Sequence, residues 1–161
     1  MKSRKPAIMT TTNRKKLDSI LLIDDNEIDN FIHRKILESC DATNILTFES
    51  TIAALQYLEN TIIIPQLILL DINFPIMNGF EFLDEFRELE IAKYPIDTFI
   101  LSASLNPADI KKAQQKCSGF IEKMLTKEKL FAKLDLLAPL SNSKSDKQAN
   151  PSQTQSKKNL L

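Results

Sequence analysis

An acidic residue directly follows an unbroken apolar run near the middle of the chain. Residues 67–70 are Leu-Ile-Leu-Leu, and Asp71 comes next, followed by a loop that carries Pro75 and Gly79. So short an apolar run predicts a strand covered on both faces, as in a parallel sheet. Chemistry in open parallel sheets lies beyond the carboxyl ends of the strands, so Asp71 is a candidate ligand or nucleophile. The alternative is that Asp71 only caps the turn that follows.

Polar side chains also follow the other predicted strands. Asp24 and Asp25 follow the first strand, Ser102 the fourth and Lys123 the fifth. In the strand order 2-1-3-4-5 the first and third strands are neighbours, which would bring three carboxylates together. Such a cluster needs a cation, and its hard oxygens suit Mg²⁺. A metal, the Lys123 ammonium and the Ser102 hydroxyl would match the three oxygens of a phosphoryl group on Asp71.

Each of these residues also has a simpler interpretation. The acid pair Asp24 and Asp25 would serve equally as a cap for the first helix. Taken singly, Ser102 and Lys123 are ordinary surface residues and Phe120 is an ordinary core residue. Only the placement of Asp24, Asp25, Ser102 and Lys123 at successive strand ends favours a common site.

The predicted elements alternate between strands and helices. Apolar runs and helix signals place the strands at 19–23, 44–48, 66–70, 98–101 and 120–122, and the helices at 27–40, 51–59, 79–91, 107–117 and 126–137. This alternation predicts one α/β domain over residues 18–140. We expect a doubly wound, five-stranded parallel sheet in the flavodoxin-like order 2-1-3-4-5, with five helices distributed over both faces.

The first helix is expected to bury a stripe of apolar side chains on its inner face. This stripe consists of Ile28, Phe31, Ile32 and Ile36. His33, the one histidine of the chain, lies off the stripe, so we expect it to be exposed and non-catalytic.

The formal net charge of zero hides a segregation of charge along the chain. Residues 1–16 carry +6, residues 141–161 carry +3, and residues 17–140 carry −9. An acidic body repels nucleic acid and attracts metal cations. The segments 1–17 and 141–161 are predicted to be disordered. Their basic residues would suit nucleic acid or an acidic partner, but solvated tails are favoured.

The composition excludes a membrane-spanning protein. No apolar run approaches the length of a membrane span, and no apolar stretch after the basic start makes a secretory signal. Cys40 and Cys117 have no metal-ligand spacing. We therefore expect a cytoplasmic protein with both cysteines reduced.

Taken together and in this order, the motifs resemble the receiver domain of two-component response regulators. The resemblance covers about residues 18–138, the whole predicted domain. It is carried by the acid pair in Ile23-Asp24-Asp25, the loop from Asp71 to Gly79, the hydroxyl in Leu101-Ser102-Ala103, and the lysine in Gly119-Phe120-Ile121-Glu122-Lys123.

The resemblance implies a role for each acidic residue. Asp71 would be the phosphoacceptor, taking a phosphoryl group from a phosphohistidine on a sensor histidine kinase or phosphotransfer protein. The carboxylates of Asp25 and Asp71 and the backbone carbonyl of Asn73 would hold Mg²⁺, with Asp24 acting mainly through water. Such a domain catalyses only its own phosphorylation and dephosphorylation and is not otherwise an enzyme.

The resemblance also implies a switch. Ser102 would bond a phosphoryl oxygen, Lys123 would neutralise charge, and Phe120 would turn inward when Ser102 moves. Asn73 and Ser104 occupy the positions that tune self-dephosphorylation. A stand-alone receiver of this kind would signal to a downstream protein target through its own surface, and the two tails would be dispensable for phosphorylation.

One position departs from the family pattern, in which proline usually follows the lysine. Here that residue is Met124. Because a cis bond before a non-proline residue costs about 3–4 kcal/mol, we expect a trans Lys123–Met124 bond, with a rearranged loop that still lets Lys123 reach Asp71.

Two other functions compete with the phosphoacceptor. One is an unphosphorylated, receiver-like docking module, which the complete set of acids, hydroxyl and lysine disfavours. The other is an aspartyl-phosphate phosphatase or phosphotransferase. Such enzymes carry a second acid two residues after the nucleophile, and here that position is Asn73.

Overall fold

The computed structural model describes residues 16–137 of the chain. The predicted tails, 1–17 and 141–161, fall almost entirely outside this range. Leu17, at the inner edge of the first tail, is buried in the core. Cys40 and Cys117 are both free thiols. No helix between residues 16 and 137 combines the length and the apolar character needed to cross a membrane.

Between residues 16 and 137, five strands alternate with five α-helices, as predicted. The strands are β1 (Asp18–Ile23), β2 (Thr43–Phe48), β3 (Leu67–Leu70), β4 (Asp97–Ser102) and β5 (Gly119–Glu122). The helices are α1 (Glu27–Glu38), α2 (Thr51–Asn60), α3 (Gly79–Glu88), α4 (Pro107–Lys116) and α5 (Lys127–Leu137). The helix predicted over 79–91 ends at Glu88, and a 3₁₀ turn (Glu90–Lys93) follows it.

The five strands form one parallel sheet in the order β2-β1-β3-β4-β5, which confirms the predicted fold. The register brings the strand ends level with one another. Ile23 pairs with Leu70, the last residues of β1 and β3. Likewise Ser102 pairs with Glu122, the last residues of β4 and β5. The residues that follow these four ends therefore meet at one edge of the sheet.

Helices cover both faces of the sheet. In β3, Leu67 and Leu69 face the core under α1 and α5, whereas Ile68 and Leu70 face the core under α2, α3 and α4. All four side chains are at most 1% exposed. The unbroken apolar run is thus explained by burial on both faces, because each alternate side chain meets a different layer of helices.

The first helix corrects part of the sequence prediction, because two residues of its apolar stripe do not face the core. Ile28 and Phe31 are 67% and 60% exposed. The buried residues of α1 are instead Asn30, His33 and Leu37, which lie on one helical face at spacings of three and four. The prediction is therefore wrong for Ile28 and Phe31, which face solvent while polar residues occupy the interior, whereas Ile36 packs against the core as predicted.

His33 belongs to this inner face, so the expectation of an exposed histidine is wrong. The side chain is fully buried, and neither ring nitrogen has a hydrogen-bond partner among residues 16–137. Burial first, and then the positive charge of Lys123, lower the pKa of His33 below its usual 6.5. The imidazole is consequently neutral in the folded protein at neutral pH.

We predict that His33 makes the protein less stable in mild acid. Above about pH 6.5 the ring is neutral in both states and contributes no pH dependence. Below that pH the unfolded chain binds a proton that the folded protein rejects, so stability falls as the pH falls. Urea unfolding between about pH 8 and about pH 5.5 should show a smaller loss for His33→Leu than for wild type. Parallel stability profiles for the two proteins would contradict this.

Candidate functional site

Three carboxylates meet at the sheet edge, as the strand order predicts. One oxygen each from Asp24, Asp25 and Asp71 lies within 4.8 Å of the others. Asp24 and Asp71 are 3% and 5% exposed, whereas Asp25 is exposed. The cluster therefore has two buried members and one that opens to solvent.

Asp24 is fixed from three sides at the end of β1. Its N–H donates to Phe48 O at 3.0 Å, and its Oδ1 accepts the Asn26 N–H at 2.9 Å. The buried Asn30 side chain donates to the Asp24 main-chain oxygen at 2.7 Å. Asn30 thus anchors the site from the inner face of α1, a role that sequence reasoning missed.

Asp71 directly follows β3, where it caps the turn and also faces Lys123. Its N–H donates to Ile23 O at 2.8 Å, which locks it beside β1. Its Oδ2 accepts the Asn73 N–H at 3.0 Å and so caps the turn. Its Oδ1 faces Lys123 Nζ at 3.4 Å. Capping occupies one oxygen and leaves the other directed at the ammonium.

The loop after Asp71 is held in place by hydrogen bonds from the start of α3 and from α2. The side chains of Asn78 and Glu81 form a reciprocal capping box at the start of α3. Gly79 N–H donates to Ile72 O at 2.8 Å, and Thr51 Oγ1 donates to Met77 O at 2.9 Å. A Cβ on Gly79 would lie only 2.4 Å from the Asp71 carbonyl oxygen, so the close approach of helix and strand end requires glycine.

Lys123 extends from the end of β5 into the carboxylates. Its Nζ lies 2.6 Å from Asp24 Oδ2 and 2.9 Å from Asp29 Oδ2, besides the Asp71 contact. Its side chain is 11% exposed. Its backbone N–H donates to Ser102 O at 2.9 Å, which joins the ends of β4 and β5. The predicted reach of Lys123 to Asp71 is therefore present.

The Lys123–Met124 peptide bond is cis, so the expectation of a trans bond is wrong. That expectation used the preference of an isolated non-proline bond. Here Lys123 is held by two sets of contacts. Its backbone N–H bonds Ser102 O, and its ammonium contacts Asp24 and Asp29. Tertiary contacts, which the sequence does not display, accompany the cis geometry.

Burial and charge act in opposite directions at this site. Burial raises the pKa of the Asp71 carboxyl, and the nearby positive charge of Lys123 partly offsets that rise. Burial also opposes the charge on Lys123, but the contacts with Asp24 and Asp29 outweigh it and raise the pKa of the ammonium above its ordinary value. Lys123 is therefore charged throughout the physiological range, and its charge compensates the buried acids.

The predicted switch residues lie beside this cluster. Ser102 is fully buried, and its Oγ accepts the Ser104 N–H at 3.1 Å. Phe120 is 8% exposed and packs in the core under α2, α3 and α4. The structure thus places the Ser102 hydroxyl at the end of β4 and the Phe120 ring in the core.

An open cleft gives access to the exposed side of the cluster. It is lined in part by Asp25, Asn73, Phe80 and Lys112. The Lys112 ammonium lies over the Phe80 ring, 4.3 Å from its centroid, so a cation borders a cleft that Asp25 makes acidic. The cleft therefore reaches the carboxylate cluster at Asp25, its exposed member.

Asp29 is the other functional residue that sequence reasoning missed. It lies in the first turn of α1, where an acid is ordinarily explained by the helix dipole. Asp29 lies four residues after Asp25, within a helix, so it does not follow a strand directly as the predicted site residues do. The ammonium that it contacts belongs to Lys123, which is distant in sequence. Only the packing of α1 beside the end of β5 reveals the contact.

Comparisons with known proteins point to one family, the response regulators. The family model described as the response regulator receiver domain matches residues 20–135. A two-component response regulator from Cytophaga hutchinsonii is 32% identical, covers 76% of this chain and 98% of its own, and has a TM-score of 0.70. A response regulator receiver protein from Dyadobacter fermentans is 28% identical over 74% of this chain and 96% of its own, with a TM-score of 0.66.

A more distant structure shows the fold alone. The chemotaxis protein CheY4 of Vibrio cholerae is 20% identical, covers 77% of this chain and all of its own, and has a TM-score of 0.65. A search of the curated proteins found no match.

We predict that Gly79→Ala destabilises the protein and moves the Asp71 loop. The added methyl cannot coexist with the Asp71 carbonyl oxygen at 2.4 Å, so strand end or helix must shift, at a cost of about 1–3 kcal/mol. Urea unfolding measures the loss, and amide chemical shifts should change most at Asp71 and Ile72. Wild-type stability with unchanged shifts there would contradict the prediction.

The other glycine offers a matched control. Gly119 has a φ of +148°, so Gly119→Ala is also strained, but its Cβ would meet only the Phe99 ring at 3.5 Å. This variant should lose stability while leaving the Asp71 amide signal in place.

Proposed function

The chain belongs to the receiver-domain family of two-component response regulators, and on that premise we propose that Asp71 is the phosphoacceptor of a phosphorelay. A phosphohistidine on a sensor histidine kinase or phosphotransfer protein would be the donor. The carrying observation is that the free oxygen of a buried carboxylate faces an ammonium at 3.4 Å, beside two further acids.

The transfer exchanges one phosphorus bond for another. Asp71 Oδ1 attacks the phosphorus, and the P–N bond to the donor imidazole breaks. The electron pair returns to the ring nitrogen, which takes up a proton. The capping contact from Asn73 N–H holds the other oxygen, Oδ2, so that Oδ1 keeps its orientation. Lys123 lies where it would compensate the negative charge gathering around the transferred group.

The donor set fits a hard divalent cation such as Mg²⁺. The three carboxylates converge, and Asp24 Oδ2, although paired with Lys123, has no hydrogen-bond partner between residues 16 and 137. Asp24, Asp25, Asp71 and the Asn73 carbonyl are the proposed ligands, with Asp24 acting mainly through water. Mg²⁺, when bound, would neutralise charge on the phosphoryl oxygens.

Asn73 and Ser104 are proposed to limit the lifetime of the phosphorylated state. Asn73 is exposed at the mouth of the cleft, and Ser104 lies half-buried beside Ser102. Both occupy the positions that tune self-dephosphorylation in the family pattern, so both are proposed to tune the hydrolysis of the phosphoaspartate here. Beyond this self-phosphorylation and self-dephosphorylation the protein is proposed not to be an enzyme.

The proposed output passes through the surface formed around β4 and β5. Ser102 Oγ accepts the Ser104 N–H at 3.1 Å and would donate its own O–H to a phosphoryl oxygen, so a movement of Oγ toward that oxygen would pull on the loop leading into α4. Phe120, packed in the core shared with α4, would adjust with it. A protein target, in the proposed cytoplasmic setting, would distinguish the two states of this surface.

We predict that acetyl phosphate with Mg²⁺ adds one phosphoryl group, at Asp71. Asp71→Asn should abolish the addition, because an amide is a poor nucleophile and forms no acyl phosphate. Intact-mass spectrometry, with and without hydroxylamine, measures the acyl phosphate. Equal hydroxylamine-sensitive labelling of Asp71→Asn and wild type would refute the assignment.

Asp84→Asn is the matched control for this test. Asp84 is a half-exposed acid on α3 that pairs with Lys116 and Arg87, away from the cluster. It should be labelled like wild type. A correctly folded wild type that accepts no phosphoryl group from acetyl phosphate or from candidate kinases would favour the docking-module alternative.

We predict that phosphorylation perturbs the amide signals around Ser102, Ser104 and Phe120 and along α4. These residues follow the end of β4 or pack against it, so they must respond if Ser102 is the switch. Two-dimensional NMR of the two states measures the change. Perturbations confined to α1 and α2, with β4 and β5 silent, would contradict this output route.

A further inference from the structure

We propose that Asp29 is a positioning residue that competes with Asp71 for the ammonium of Lys123 and thereby slows phosphorylation, an inference that rests on the proposed function of Asp71. Asp29 is not a member of the carboxylate cluster suited to a metal. It lies on α1, while Lys123 follows β5.

The distances rank the three acids that surround the ammonium. Lys123 Nζ donates a hydrogen bond to Asp29 Oδ2 at 2.9 Å. Asp24 Oδ2 is nearer, at 2.6 Å, but this ion pair lies outside hydrogen-bond geometry. Asp71 Oδ1 is the farthest, at 3.4 Å. The phosphoacceptor thus has the weakest of the three contacts with the lysine.

An ammonium has only three N–H donors, and a phosphoryl group would need at least one of them. Asp24 is shared with the proposed metal, which would draw its charge away from the lysine. Among residues 16–137, Asp29 makes no second ion pair: its side chain contacts Lys123, and its N–H donates to Asn26 Oδ1 at 3.3 Å. Asp29 therefore keeps its hold on the ammonium while charge builds at Asp71.

The ion pair between Lys123 and Asp29 is largely shielded from solvent. The side chains of Lys123 and Asp29 are 11% and 23% exposed, so solvent screens the pair less than a surface pair. The lysine backbone is fixed by its contact with Ser102 O. The ammonium can therefore turn toward Asp71 only by weakening the contact with Asp29.

The simpler explanation is that Asp29 only stabilises the start of its helix. A first-turn acid interacts favourably with the helix dipole, and Glu27 lies in the same turn. Glu27 is exposed and has no ion pair with Lys123 among those of residues 16–137. Its removal takes away the same charge from the same turn without touching the lysine, so it separates the two explanations.

The test is the initial rate at which acetyl phosphate and Mg²⁺ label Asp71, followed by intact mass in the full-length protein. Asp29→Asn should raise the rate roughly tenfold, the factor expected when one charge-assisted hydrogen bond is redirected. Glu27→Gln should leave the rate unchanged, and Asp29→Glu, which keeps the carboxylate, should stay near wild type. In a Lys123→Gln background, Asp29→Asn should have no effect, because the two residues act through one contact.

Three results would overturn the proposal. They are a rate for Asp29→Asn equal to or below wild type, an equal acceleration by Glu27→Gln, or the same acceleration in the Lys123→Gln background. Urea unfolding of each variant identifies a purely structural role, in which stability falls and the rate does not rise. A wild-type protein that is never labelled at Asp71 refutes the proposed function itself, whereas a labelled wild type with no response to Asp29 refutes this inference alone.

Discussion

The arrangement of the site depends on one buried ammonium. In the part of the chain that the structure describes, Lys123 carries the one positive charge in direct contact with Asp24, Asp29 and Asp71. Buried carboxylates are tolerated only when their charge is compensated, so the lysine permits the sheet edge to hold acids at all. The compensation is incomplete, because one ammonium faces three acids and Asp25 adds a fourth charge nearby. That residual negative charge makes the edge receptive to a divalent cation.

Strand register turns this electrostatic balance into a fixed geometry. The pairs Ile23–Leu70 and Ser102–Glu122 bring four strand ends level. Asp24, Asp71 and Lys123 each directly follow one of those ends. The main-chain bonds of Asp71 to Ile23 and of Lys123 to Ser102 continue the ladder one step past the strands. The site residues are therefore positioned by the hydrogen-bonded strands of the sheet.

Much of this could be predicted from sequence, for reasons that are local. The runs ending at Asp24 and Asp71 are apolar because both faces of the sheet are covered, so strand positions and order followed from alternation and burial. The convergence of the acids then followed from topology. The cis Lys123–Met124 bond did not follow, because it runs against the local preference of a non-proline bond. The Asp29 contact did not follow either, because Lys123 is distant from it in sequence. Nor could the burial of Asn30 and His33 be predicted, because hydrophobic patterning assigns apolar residues to the core, whereas Asn30 is buried where it bonds the Asp24 carbonyl.

The first helix shows how that need overrides hydrophobic patterning. Its inner face carries Asn30, which binds the Asp24 carbonyl, and Asp29 beside it reaches Lys123. At its other end the Ser39 carbonyl accepts a hydrogen bond from Lys127 of α5. These contacts set the rotation of α1 about its axis, and that rotation turns Ile28 and Phe31 outward, with Lys35 lying over the Phe31 ring. The exposed apolar residues and the buried polar ones are thus two consequences of one constraint. Turning the helix to bury the apolar stripe would withdraw Asn30 from Asp24 and Asp29 from Lys123, and the site would lose its support from this side.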